Sequence, residues 1–162
     1  MSAIERLHAI RDGVCPPPPL YDTLGISVKS AASGVVGLVL RPSERLGNPY
    51  GNVGGGALAT ALDTAAAWAC DTLCGVDKIC TTVEFKTNFI KPVLPGDATL
   101  DIIAAVIRHG SRIMVAEARM TTEDGDLVAI AIVTCLVIDR LDSRQTIAEA
   151  HASGADRAAK DQ

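Results

Sequence analysis

The chain has 162 residues, of which 48% are hydrophobic, 21% charged and only 3% aromatic. That length holds one ordinary domain rather than two, and the composition excludes intrinsic disorder and collagen-like or mucin-like chains. Fifteen Lys and Arg against nineteen Asp and Glu leave a net charge of −4, the wrong sign for coating a phosphate backbone, so nucleic acid is not an expected partner.

With so few aromatics, the core is expected to come from Ala, Val, Ile and Leu. A chain this apolar is expected to hide further surface in a homo-oligomer, at least a dimer. Met1 to Asp12 mixes charges and His8 with apolar residues instead of forming a charged leader and an apolar signal core, which points to the cytoplasm. The longest apolar stretch, Gly54 to Cys74, is interrupted by Asp63 and Asp71, so no membrane span is expected. Cys15, Cys70, Cys74, Cys80 and Cys135 form an odd set without secretory context, which argues for reduced thiols. Cys70 and Cys74 would share a helix face, yet no second Cys or His pair supplies the remaining ligands of a zinc site. They read as buried thiols acting as small hydrophobes, and no metal is assigned.

Ser2 to Arg11 reads as a short amphipathic helix with Ile4, Leu7 and Ile10 on one stripe, closed by Gly13 and by the run Pro16 to Pro19, a stiff spacer. Leu24 to Ser30 and Val35 to Arg41 read as two strands joined at Ser33-Gly34, and Pro42 ends the second. Gly47 to Gly56 holds five glycines in ten residues with Asn48, Pro49 and Asn52, so the backbone there must turn sharply or approach something closely. Ala57 to about Leu73 is an Ala-rich helix, apolar on every side, as expected of a central helix enclosed by other structure. Thr81 to Ile90 alternates, Val83, Phe85, Thr87 and Phe89 against Thr82, Glu84, Lys86 and Asn88, and Pro92 and Pro95-Gly96 break it. Ala98 to Arg108, Arg112 to Thr121 and Leu127 to Ile138 are three further strands joined through His109-Gly110-Ser111 and Asp124-Gly125, hence antiparallel.

The expected architecture is α+β, a curved antiparallel sheet of about six strands wrapped around one long helix. It divides into an N-terminal helix and spacer over 1–22, the main domain over 23–139, and a polar tail over 140–162, read as a weak helix or frayed end.

Gly54-Gly55-Gly56 lies where the long helix begins, so free backbone N–H groups and the positive end of the helix dipole face outward with no side chain in the way. Gly54, Gly56 and Ala59 satisfy a loose dinucleotide fingerprint, but Asn48 to Asn52 separates them from any strand and no second βαβ half follows. The other reading is an oxyanion hole, which needs a base or nucleophile nearby. Asp63 is the only ionisable residue between Gly54 and Cys70, and a carboxylate planted among alanines needs either work or a partner. It follows Gly56 by seven residues, so the two are roughly 10 Å apart along the axis. One reacting carbon cannot touch both, which predicts a composite site in which the glycines of one chain face Asp63 of another. Pairing of Asp63 with a polar group, without chemistry, is the other reading.

The run Asn48-Pro49-Tyr50-Gly51-Asn52-Val53-Gly54-Gly55-Gly56, continuing to Leu62-Asp63, resembles the signature N-x-x-G-x-x-H-G-G-x-x-x-x-L-x-D of hotdog-fold acyl-CoA thioesterases of the phenylacetate-degradation, or PaaI-like, type. Thr82 to Pro92 resembles the strand leading to that family's proline, and Arg108-His109-Gly110-Ser111-Arg112 its R-x-G-R hairpin. The resemblance runs from about Leu24 to Ile138. It implies a sheet wrapped around a central helix, dimers and often tetramers, and hydrolysis of coenzyme A thioesters without a metal or separate cofactor. Asp63 would be the nucleophile or general base and the Gly55 N–H the oxyanion hole. Asn48 would orient the carbonyl or attacking water, and Thr82 would help position that water. Gly54 and Gly56 would flank the substrate.

Gly54 departs from the family, which has histidine there, so a non-catalytic acyl-CoA binder is the alternative. Lys91, Arg108 and Arg112 could together neutralise the phosphates of coenzyme A, or be solvated hairpin charges. Glu84 shares the expected polar face with Thr82 and could approach the site, or face solvent beside Lys86. Trp68, turned about 140° from Asp63 on a helical wheel, reads as packing.

Overall fold

The computed structural model describes residues 1–140, so the tail expected over 140–162 lies, but for Arg140, outside the described residues. Ser2 caps α1 (Ala3–Arg11) reciprocally: its hydroxyl accepts from the Glu5 N–H while its own N–H donates to the Glu5 carboxylate. Leu7 carries the buried side of that helix. His8 Nε2 donates to the Ala31 carbonyl at 3.1 Å, tying α1 to β1 (Ile26–Ala32).

The proline run is more than a spacer. Pro19 occupies the first position of a short helix, α2 (Pro19–Leu24), where a missing N–H costs nothing. Gly25, at φ +73°, ends it in the left-handed conformation, so the first strand begins at Ile26 and not Leu24. β1 and β2 (Val35–Leu40) form the expected hairpin around Gly34.

After a 3-10 turn at Glu44–Leu46 and the glycine loop comes α3 (Gly55–Asp71). It starts two residues earlier than its alanines suggest, because Gly54 takes the N-cap position and Gly55 and Gly56 enter the helix. β3 (Lys78–Phe89), β4 (Leu100–His109), β5 (Ile113–Thr121) and β6 (Leu127–Asp139) follow. The six strands lie in the order β1-β2-β4-β5-β6-β3, every neighbour antiparallel. This is the expected hotdog arrangement.

α3 touches all six strands, so the sheet wraps it. The buried face of the helix is Leu58, Ala61, Leu62, Ala65, Ala66, Ala69 and Cys70, at helical spacing. Across from it the sheet also presents small residues, among them Ala104, Ala116, Ala118 and Ala131, which lets helix and sheet approach closely. The helix is not enclosed all round, as its composition suggested: Ala59, Thr60, Asp63, Thr64 and Ala67 stay partly exposed. No helix among the described residues is long and apolar enough to cross a membrane.

Candidate active site

The approach to α3 is a loop held by one side chain. Asn48 Oδ1 accepts from the Tyr50 N–H at 2.9 Å and the Asn52 N–H at 3.2 Å. The Asn48 N–H donates to the Asn52 carbonyl at 2.7 Å. Gly51, at φ +83°, makes that tight reversal possible without strain. Two strong anchors seat the loop: the Gly54 N–H donates to the Leu46 carbonyl and the Val53 N–H to the Val93 carbonyl, both at 2.7 Å. The oxygen of Asn48 is thus spent on the loop, and its side-chain N–H group is what remains for another molecule.

At the helix start, Gly54 O accepts from the Ala57 and Leu58 N–H groups. The N–H groups of Gly55 and Gly56 lie in the first turn and donate to no acceptor among the described residues, as expected of a helix N-terminus. Gly55 lies flush against Phe89: a Cβ there would come within 3.2 Å of the ring, while one on Gly56 would meet nothing within 4 Å. A largely apolar groove of about 350 Å³ opens at this point, lined by Gly55, Leu58, Phe89, Ile90, Pro92 and Val93 among others. Phe89 and Ile90 were legible only as strand residues; the Pro92 break just beyond was the one signal that their side chains border a site.

Asp63 stands eight residues along α3 from Gly55, about 12 Å by helix rise. It accepts from Thr82 Oγ1 at 2.8 Å and is half-buried. A bulge in β3 between Thr82 and Glu84 sets this contact. Thr82 pairs with Cys135, whereas Glu84 pairs with Thr134 and accepts from its hydroxyl at 3.1 Å. The extra residue, Val83, is 55% exposed. Strict alternation therefore fails: Thr82 joins Phe85 and Thr87 on the helix side, and Glu84 is carried to the other side, away from Asp63.

The three cations do not gather within one chain. Lys91 Nζ donates to Asp126 Oδ2 at 2.6 Å, and that carboxylate raises the lysine above its usual range while lowering its own. Lys91 lines the groove beside Gly55 and also borders a cavity with Thr99 and Leu100, where β4 begins. Arg108 and Arg112 lie at the opposite end of β4, about 26 Å away at the rise of a strand. Arg112 precedes β5 in the turn and does not belong to the strand.

The Thioesterase superfamily profile matches residues 50–129, which take in the glycines, Asp63 and Thr82. The sequence is 30% identical over 118 residues to a candidate esterase of Saccharolobus solfataricus, covering 73% of this chain and 77% of that protein. The chain belongs to the thioesterase superfamily. In structure it is similar to a phenylacetic acid degradation-related protein of Ralstonia eutropha JMP134, with 26% identity, a TM-score of 0.72, and 80% of this chain and 98% of that one covered. It also shares its fold with a Streptococcus mutans protein solved with acetyl-CoA bound, at 23% identity, a TM-score of 0.66, and 70% and 89% coverage. The resemblance to the PaaI-like type is borne out, and the protein falls among the thioester hydrolases.

Proposed function

We propose that this protein hydrolyses acyl-CoA thioesters to a carboxylic acid and free coenzyme A, in a site completed by two copies of the chain. The observation that carries the reading is the separation of Asp63 from the bare amides of its own helix, about 12 Å, which no single thioester carbonyl spans. In a dimer, Asp63 and Thr82 of one protomer meet the partner subunit's Gly55 and the partner subunit's Asn48. A route to that dimer is available: β3 is a twelve-residue strand at the sheet edge with Val83 and Phe89 exposed, and a long unpaired edge invites pairing.

Asp63 either takes a proton from water as it attacks the carbonyl carbon or attacks that carbon itself, Thr82 fixing the carboxylate in both cases. Negative charge then appears on the carbonyl oxygen, where the Gly55 N–H and the positive end of α3 stabilise it. The C–S bond breaks and the coenzyme leaves as a thiolate and is protonated; by water attack the acid forms at once, and by direct attack the mixed anhydride left on Asp63 is cleaved by water, which releases the acid and restores the carboxylate. The apolar groove beside Gly55 suits an aryl or short-to-medium acyl group.

A second reading, an acyl-CoA binder without turnover, rests on Gly54 standing where the family has histidine. Release of free thiol from aryl, short-chain and long-chain acyl-CoA separates the two. Turnover that disappears in Asp63→Asn supports the hydrolase; binding across the panel without turnover supports the binder. Gly54→His probes the same question, since φ there is −62° and a Cβ would stand 3.4 Å from the Leu46 carbonyl, room enough for the chain to fold.

A further inference from the structure

At the far end of α3 a second group of reactive side chains converges, and the hydrolytic chemistry does not use it. Asp71 is the last helical residue, Cys74 lies in the turn that follows, and Cys80 is the third residue of β3. A carboxylate oxygen and two sulfurs from these residues all lie within 4.8 Å of one another. We propose that Asp71, Cys74 and Cys80 bind a thiophilic divalent cation of the zinc class, fastening the end of α3 to the start of β3.

The distances favour a metal over a disulfide. Cys74 Sγ and Cys80 Sγ are 3.4 Å apart. Two sulfurs on a tetrahedral zinc, each at about 2.3 Å, stand about 3.8 Å apart, whereas a disulfide demands closure to about 2.05 Å. The first needs an opening of about 0.4 Å and the second a closure more than three times larger. The surroundings fit as well. Cys80 N–H donates to Asp71 Oδ1 at 2.6 Å, which orients the carboxylate and leaves lone pairs for an ion. The Cys74 thiol donates to the Cys70 carbonyl at 3.7 Å, a weak bond it gives up when an ion takes the place of its proton.

An entry path is present. Asp71 and Cys74 border a cavity of about 520 Å³, from which water supplies the fourth ligand. Arg140 borders the same cavity and its charge acts on Asp71, which offsets part of the surplus of two thiolates and a carboxylate over a divalent ion. The ion would act as a staple: Thr82 is two residues further along β3 and Asp63 is eight residues back along α3, so the bound metal fixes the two elements that carry the Asp63–Thr82 contact.

Cobalt(II) titration of the full, reduced protein under anaerobic conditions tests this. We expect thiolate-to-cobalt charge-transfer absorption with tetrahedral d–d bands, saturating near one ion per chain and bleached by zinc. Cys74→Ala and Cys80→Ala should each abolish the charge-transfer band, Asp71→Asn should weaken binding by about tenfold or more, and Cys15→Ser should leave the spectrum unchanged. Should a cysteine variant fail to fold, the wild-type protein still decides the matter, since zinc but not magnesium must raise its thermal midpoint. Absence of thiolate bands in the reduced wild type, bands that survive both cysteine replacements, or two thiols lost to air in a protein that takes up no ion would each overturn the site, the last in favour of a Cys74–Cys80 disulfide.

Discussion

The two ends of α3 are built on opposite principles. At its N-terminus the useful groups are backbone: Gly54, Gly55 and Gly56 bring no side chains, and the Phe89 ring packs close against Gly55. At its C-terminus the useful groups are side chains: Cys70, Asp71 and Cys74 gather with Cys80, and burial raises the Asp71 carboxyl and pushes the Cys74 thiol up to about 12. A backbone amide survives most replacements of its own side chain, provided the helix still starts there. A side-chain cluster does not. Asp63 stands between the two ends, bonded to Thr82 and reaching neither end within one chain, which is why the proposed site draws its amides from a second copy.

The largest effect falls on Asp63. Asp63→Asn keeps the shape and the contact with Thr82 but loses the base or nucleophile, and thioester hydrolysis should drop by about 10²- to 10⁴-fold. Thr82→Val should lower the rate by about tenfold, as only one orienting hydrogen bond goes. Mixing then isolates the two-copy claim. Asn48→Ala damages the amide half and Asp63→Asn the carboxylate half, so a co-expressed pair forms mixed dimers with one intact site. In those mixed dimers, isolated by differential tagging, activity should return toward half the wild-type level; no recovery in them would remove the composite site.

A smaller effect sharpens the contrast at the bare end. In Gly55→Ala the new methyl meets the Phe89 ring at 3.2 Å, and Phe89, 51% exposed, must yield. The amide is kept, so kcat should hold within severalfold while KM rises as the groove wall shifts. Gly56→Ala meets open space and should leave both constants near wild type, with a stability gain of about 0.5–1 kcal/mol from helix propensity. Steady-state kinetics and urea melts on the two variants check this; equal losses in both would mean that the glycines matter for bareness rather than for packing.

What the sequence disclosed follows this same division. Strand number, antiparallel order and the central helix were legible because alternation, Asp124-Gly125 and the alanine run each report a local preference that the fold does not override. Asp63 was legible as an isolated charge. The bulge at Val83 was not, since one extra residue in β3 leaves no mark in composition, and it alone decides that Thr82 rather than Glu84 meets the helix. α2 was hidden because Pro19 at a helix start looks like Pro19 in a spacer. The distance between Lys91 and the two arginines was hidden because hairpin signals locate turns and not the end of the sheet on which each turn falls. Cys80 and Cys135 gave no hint of joining Cys70, a contact made only when β3 and β6 pair over the helix.

The last effect is at the side-chain end, on Tyr21. Its side chain is 1% exposed and lies beside Trp68 of α3, and its hydroxyl has no hydrogen-bond partner among the described residues. Burial pushes that phenol up to about 12, against about 10 in an unfolded chain. An acid whose folded value is raised contributes stability that is whole below the unfolded value and lost as pH climbs through the folded one. Stability should therefore fall between about pH 10 and pH 12, by an amount on the order of 2 kcal/mol. Tyr21→Phe removes the ionising group and relieves an unpaired hydroxyl, so near neutrality it should be neutral or stabilising by up to about 1 kcal/mol, and its loss of stability above pH 10 should be shallower than that of the wild type. Urea melts at pH 7 and pH 11 on both proteins measure the difference. A Phe variant that is weaker at pH 7 by more than about 1 kcal/mol would mean that the hydroxyl is paired after all, and the contrast between a side-chain-dependent end and a backbone-dependent end would then extend one layer deeper, into α2.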